Sequence, residues 1–158
     1  MSLLPFFEWC YLTPIGESVR NSLWLFAVIE ALHLIGLGVT VGAVLLVDMR
    51  LLGFGLIKQP VAQLAADGEP WLLGGVTLMF ATGIPLFLCE AIKCYHSFPF
   101  WVKMISLFLV LLFAFTIRRR VVRMGATFDR PLLGKVTALI SLGLWFGVAW
   151  GGRWIGFS

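Results

Sequence analysis

Within the apolar stretch FAVIEALHLIGLGVTVGAVLLVDMRLLG, residues 26–53, stand Glu30 and His33. Three residues apart, they share one face of any helix formed there. An acid and an imidazole so placed can exchange a proton, bind a metal or haem iron, or hydrogen-bond across a helix contact. Glu90, Lys103 and Arg153 are further charged residues near the ends of apolar runs, and Asp48 and Arg50 form a pair at the far end of the same stretch. Glu-x-x-His is the spacing used by di-iron helix bundles, which need two such motifs and further glutamates; this chain has one. Copper favours Cys, Met and His, and Cys89, Cys94, His96 and Met104 gather in sequence without matching a compact copper motif. Haem iron takes two axial ligands, typically two histidines or His with Met. The chain has 2 histidines. His33 falls deep in its apolar run and His96 in a short loop, which disfavours a bis-His haem within one chain. A b-type haem on His33, paired with His33 of a second copy or with Met79 or Met104, stays open. His96 reads as a solvated loop histidine. No phosphate-cradling glycine loop and no Ser-His-Asp set is present.

Four apolar runs must position these residues: 22–47, 71–92, 98–117 and 133–154. Each approaches or exceeds the roughly 20 residues that cross a hydrocarbon core. They lack the alternation of barrel strands, and in lipid only helices or closed barrels satisfy the backbone. The expectation is an all-α, integral membrane four-helix bundle, a single transmembrane domain over residues 1–158. Residues 3–13, with Phe6, Phe7, Trp9 and Tyr11, form an N-terminal interfacial segment. That segment lacks a basic leader and a small-residue cleavage site, and is read as part of the mature protein. At a rise of roughly 1.5 Å per residue, His33 lies about 16 Å from Ser22, near mid-membrane.

Composition supports the bilayer. Of 158 residues, 60% are hydrophobic and 13% charged, with a mean hydropathy of +0.98; soluble domains carry about 25% charged residues. The net charge of +4 does not point to nucleic acid. Half of the 12 Lys and Arg residues lie between Arg118 and Lys135, as in a cytoplasmic loop. Arg50 and Lys58 join Arg118, Arg119, Arg120, Arg123, Arg130 and Lys135 on one side, against Arg20, Lys93, Lys103 and Arg153 on the other. This asymmetry predicts both termini on the periplasmic side of a bacterial inner membrane. Three cysteines, Cys10, Cys89 and Cys94, do not suggest a disulfide framework.

Glu30, Glu90, Lys103 and Arg153 are expected at a common level on four helices, with His33 beneath, as a buried polar cluster. Asp48 and Arg50 are expected to meet each other or lipid phosphate. Gly38 and Gly42 form a G-x-x-x-G pair suited to close helix approach, with Gly74, Gly75 and Gly83 on the second run and Gly143, Gly147, Gly151 and Gly152 on the fourth. Pro85 should kink the second helix.

Trp24, Glu30-x-x-His33, Gly42, Asp48-x-Arg50-Leu-Leu-Gly53, Thr82-Gly83, Phe100-x-x-Lys103-Met104 and Trp145 with Gly152-Arg153-Trp-Ile together resemble a family of small bacterial four-helix inner-membrane proteins classed as a domain of unknown function. The resemblance runs from about Trp9 to Phe157. It implies the fold and the inner-membrane location and draws attention to Glu30, His33, Asp48, Arg50, Lys103 and Arg153, but supplies no activity. The loop Tyr95-His-Ser-Phe-Pro-Phe100 departs from the Asn-containing turn of that family. A looser similarity to the membrane domain of copper-resistance D-type proteins rests on helix number and the lysine of the third helix. The reading is a small, non-catalytic membrane subunit or binding module whose partners are the bilayer and further copies or a larger membrane complex. A b-type haem redox subunit and an ion- or copper-transport protein are the alternatives.

Overall fold

The computed structural model describes residues 3–55, 58–124 and 131–155. Arg130 of the basic loop and Phe157, where the resemblance ends, lie outside the described residues. The described chain is helical. Two short helices, α1 (Leu4–Tyr11) and α2 (Pro14–Asn21), precede the first span. Thr13 caps α2, its hydroxyl accepting from Gly16 N at 3.4 Å, and Pro14 starts the helix where no N–H is needed. The spans are α3 (Leu25–Leu52), α4 (Val61–Cys89), the run α6 (Phe98–Phe113) with a π-helical turn Ala114–Arg118 and α7 (Arg119–Arg123), and α8 (Pro131–Ile155). The short α5 (Ala91–His96) links the second and third. Each span is long and apolar enough to cross a membrane. α3 closes on Gly53, whose φ of 92° is left-handed and favours glycine.

The helices outrun the apolar segments. α4 begins at Val61, a full ten residues before the expected start, and takes in Asp67 and Glu69. Backbone hydrogen bonding continues past the edge of the hydrocarbon as long as the sequence permits helix, so hydropathy marks the membrane and not the helix end. α4 also runs unbroken through Pro70 and Pro85.

The tightest pairing joins α3 to α4, followed by α6 to α8 and α3 to α8. The fourth side of the bundle closes at one end through α7 against α4. At the other end Phe87 stacks on Phe100 at 5.7 Å. The core has three storeys. Val47, Leu51, Val61, Leu64, Val122 and Ala138 fill the α7 end. Val44, Val110, Trp145 and Val148 fill the middle. Phe7, Cys10, Ala91, Cys94 and Phe100 fill the α5 end. There α1 contributes directly: the Phe7 ring meets Phe87, Tyr95, Phe100 and Trp101 at 5.2–6.2 Å. Leu34, Ile35, Phe108 and Phe146 stay exposed on the outside, as a lipid-facing surface requires.

The close approach of α3 and α4 uses other glycines than the expected pair. A methyl group on Gly75 would come within 2.9 Å of the Gly36 carbonyl oxygen and 3.0 Å of Thr40 N, whereas Gly38, Gly42 and Gly74 have open space around them. The buried residues of α3 are Gly36, Thr40, Val44, Val47, Asp48 and Leu51. Gly38 lies two residues, about 200°, round the helix from Gly36 and so faces away. Gly75→Ala should therefore destabilise the protein by about 1–3 kcal/mol through backbone overpacking, while Gly38→Ala should leave it unchanged or stabilise it by up to about 1 kcal/mol. Unfolding titrations in mixed detergent micelles measure both.

Candidate functional site

His33 lies partly buried on α3 against α4. Its Nδ1 is 2.9 Å from Thr82 Oγ1. Thr82 has one proton, and the hydroxyl donates it to the Leu78 carbonyl at 2.6 Å. The Thr82 oxygen must then accept from His33, so Nδ1 carries the hydrogen in this arrangement. In the neutral ring Nε2 is then the lone-pair nitrogen, while the Met79 carbonyl also lies within reach of the ring. Gly83 makes room for the ring: a methyl there would lie 3.1 Å from His33 Cε1. The Thr82-Gly83 dipeptide thus fixes both the tautomer and the position of the imidazole.

Lys103 enters from α6 at the same end. Its stem lies along α8, where a methyl on Gly151 would meet Lys103 Cβ at 2.9 Å and one on Gly152 would lie 3.8 Å from Nζ. Two adjacent glycines on α8 therefore cradle a lysine side chain within the span. The ammonium is close enough for its charge to be felt at His33 and at Cys94. Lys103 forms no ion pair or side-chain hydrogen bond among the described residues. Ser106, one turn further along α6, packs against Gly147 of α8 in the same manner.

The expected cluster is only partly assembled. No hydrogen bond or ion pair joins His33 to Lys103 among the described residues, and the two are linked only through the field of the ammonium; Glu90 lies near Cys94, half-buried at the junction of α4 and α5. Glu30 is exposed and makes no ion pair among the described residues, so it is not a buried partner of Lys103. Glu30 stands in the second turn of α3, ahead of Gly36, the first buried residue of that helix. Arg153 is also exposed, on α8.

Asp48 does not pair with Arg50. Residues two apart on a helix point apart, and Arg50 Nε instead donates to the Gln59 carbonyl at 3.0 Å. Asp48 is fully buried and accepts at Oδ1 from Arg118 Nε at 3.0 Å. Arg118 also donates to the Val44 carbonyl at 3.3 Å, and Ser141 of α8 lies beside the carboxylate. Arg118 was legible only as the first of a basic run. Its position where a π turn returns to α-helix puts it inside the bundle. Its neighbour Arg119 points out, to Glu69 at 3.1 Å. Arg20, read as one surface charge, is a second structural cation: it donates to the carbonyls of Leu88, Cys89 and Tyr11 at 3.3, 3.1 and 2.7 Å.

Cys10, Cys89 and Cys94 are free and buried. Burial, with the Glu90 carboxylate adding to it, pushes the Cys94 thiol up to about 11, so it stays protonated near neutral pH. His96 is exposed with its ring edge-on to Tyr95 at 5.0 Å, and Met104 is exposed on α6. Met79 is buried against Gly36. Among the described residues no three His, Cys, Asp or Glu side chains converge as a metal site.

Four apolar helices with no sheet among the described residues, wrapped around a few buried polar contacts, define a small multi-pass helical membrane protein. Within that class the chain belongs to the family of unknown function DUF6644, whose model matches residues 6–158. No curated protein and no solved structure matches it.

Arg118→Ala leaves the Asp48 carboxylate buried and unpaired and should destabilise the protein by about 3–5 kcal/mol. The double variant Asp48→Leu/Arg118→Met should recover most of that loss. Denaturation midpoints of the three proteins in one detergent give the comparison.

Proposed function

We propose that this protein is a non-catalytic membrane subunit or binding module that holds a small polar ligand, or a proton, between Lys103 and His33. The observation that carries this reading is the ammonium of Lys103, enclosed in a membrane span without a counter-ion among the described residues. A lysine at the centre of a membrane helix costs about 2.5–3.5 kcal/mol. A purely structural role would call for a carboxylate beside it, and Glu30 points elsewhere. The pairing of functions is complementary. Lys103 offers hydrogen-bond donors, and neutral His33 offers the Nε2 lone pair, so the site suits a group that accepts from one and donates to the other. The asymmetry of Lys and Arg supports an orientation with the α5 end periplasmic and the α7 end cytoplasmic, in a bacterial inner membrane.

Lys103→Met tests the reading because ligand binding and stability should move in opposite directions. Removing an uncompensated ammonium should raise the unfolding midpoint of the ligand-free protein, and should abolish any small molecule that co-purifies with the wild type, detected by mass spectrometry of the extracted sample. A Lys103→Met protein that unfolds as readily as a core-truncated one makes the lysine structural and ends the proposal.

The redox reading rests on a different observation: Thr82 orients His33 through Nδ1 and leaves Nε2 available, the arrangement by which an outer hydrogen bond sets a ligating histidine. Haem, when bound, would supply one-electron chemistry. The chain offers one half of the fit. Met79 is packed into the α3–α4 contact and Met104 faces outward, so the second axial ligand would be His33 of another copy. Purified from haem-replete cells, such a protein shows a Soret band that His33→Ala removes; a colourless wild type discards this reading.

A further inference from the structure

A polar hollow lies at the α2 end of the first two spans, with Lys103 outside its lining. It is an open cleft of about 520 Å³ where α2, the start of α3 and the α4–α5 junction meet, lined by Tyr11, Arg20, Ser22, Phe26, Glu90 and Lys93 among others. Its back wall is rigid. Gly16 of α2 sits directly on the Leu88 carbonyl, where any side chain would clash. The Arg20 guanidinium lies over the Tyr11 ring at 3.8 Å and hydrogen-bonds three backbone carbonyls. Those carbonyls are neutral, so the positive charge of Arg20 is held in place and left uncompensated. Its front carries both signs. Glu90 is half-buried and Lys93 exposed, and neither forms an ion pair or side-chain hydrogen bond among the described residues.

The level of the cleft in the membrane follows from the helix ends. α3 begins at Leu25 and α4 stops at Cys89, so the cleft sits where two spans emerge. Trp9, Leu12, Ile15, Leu23 and Trp24 surround that level and are all more than half exposed. Large apolar and Trp side chains displayed together at a span terminus belong in the interfacial layer of a bilayer. A cleft in that layer meets lipid headgroups first.

We infer that this cleft binds a zwitterionic amine, a group carrying a primary ammonium a few bonds from an anionic oxygen, with the ammonium on Glu90 and the anion between Lys93 and Arg20. Ethanolamine phosphate has this chemistry, either as the headgroup of a lipid or as a free solute. A primary ammonium can donate hydrogen bonds to the Glu90 carboxylate. A trimethylammonium has no N–H to give, and glycerol phosphate has no cation. The cleft should therefore distinguish three headgroups of similar size. This inference is independent of Lys103 and His33.

The test is native mass spectrometry of the full chain released from nanodiscs holding equal amounts of phosphatidylethanolamine, phosphatidylcholine and phosphatidylglycerol with identical acyl chains. The ethanolamine lipid should be retained about tenfold over the choline lipid, the equivalent of one charge-assisted hydrogen bond. Glu90→Gln should erase that preference. Lys93→Gln should weaken retention of the ethanolamine and glycerol lipids alike, and both variants should keep the wild-type unfolding midpoint. Displacement of the lipid by millimolar free phosphoethanolamine identifies the free solute as a competent source; no displacement assigns the site to the lipid. Equal retention of the three lipids, or a preference that survives Glu90→Gln, overturns the inference.

Discussion

Hydrocarbon supplies no hydrogen-bond partner, and that constraint accounts for most of what this chain does with its polar residues. Helix formation satisfies most of the backbone in all four spans, Pro70 and Pro85 of α4 lacking the N–H to donate. The hydroxyls follow the same rule locally. Thr40, Thr82 and Thr137 each return their proton to a carbonyl four residues earlier, at 2.8, 2.6 and 2.8 Å. Such back-bonding makes a threonine acceptable anywhere on a membrane helix, and it leaves the oxygen free to accept. Among the described residues, only at Thr82 does a second side chain use that acceptor, and the side chain is His33.

Charges obey the constraint less cheaply, and the structure handles them in two ways. At the α7 end Asp48 and Arg118 are brought together in the dry interior with side-chain exposures of 0% and 8%. The guanidinium also reaches the Val44 carbonyl, so the pair ties the third span to the first at the level where α7 meets α4. At the α5 end Lys103 has space beside Gly151 and Gly152 but no matching anion among the described residues. At the α7 end the charges pair while Asp48 Oδ2 and Ser141 Oγ stay without a hydrogen-bond partner among the described residues; at the α5 end the ammonium itself is unpaired.

Much of the fold was legible. Four apolar runs, an aromatic N-terminal segment and the absence of barrel alternation imply the architecture, because solvation by lipid acts on composition over twenty residues and needs no knowledge of neighbours. The candidate site was legible in part. Glu30 and His33 were both expected to be buried, and only His33 packs against α4, since a spacing of three gives a shared face without saying which of its members a neighbouring helix covers. Gly38 and Gly42 matched a known contact motif, yet Gly36 and Gly75 make the contact. Arg118 and Arg20 were hidden among charges that, counted by loop, all looked alike.

Hydropathy alone thus determined that this chain is a membrane bundle of four helices, which helices carry the rare ionisable groups, and how far along each one they lie. Tertiary structure alone decided the rotation of each helix about its axis. Rotation selects Gly36 over Gly38, joins Asp48 to Arg118 across 70 residues of sequence, and sets Lys103 against Gly151 and Gly152. Depth in a bilayer depends on one helix and its solvent. Azimuth depends on the shapes of two helices in contact, and no single segment contains that information.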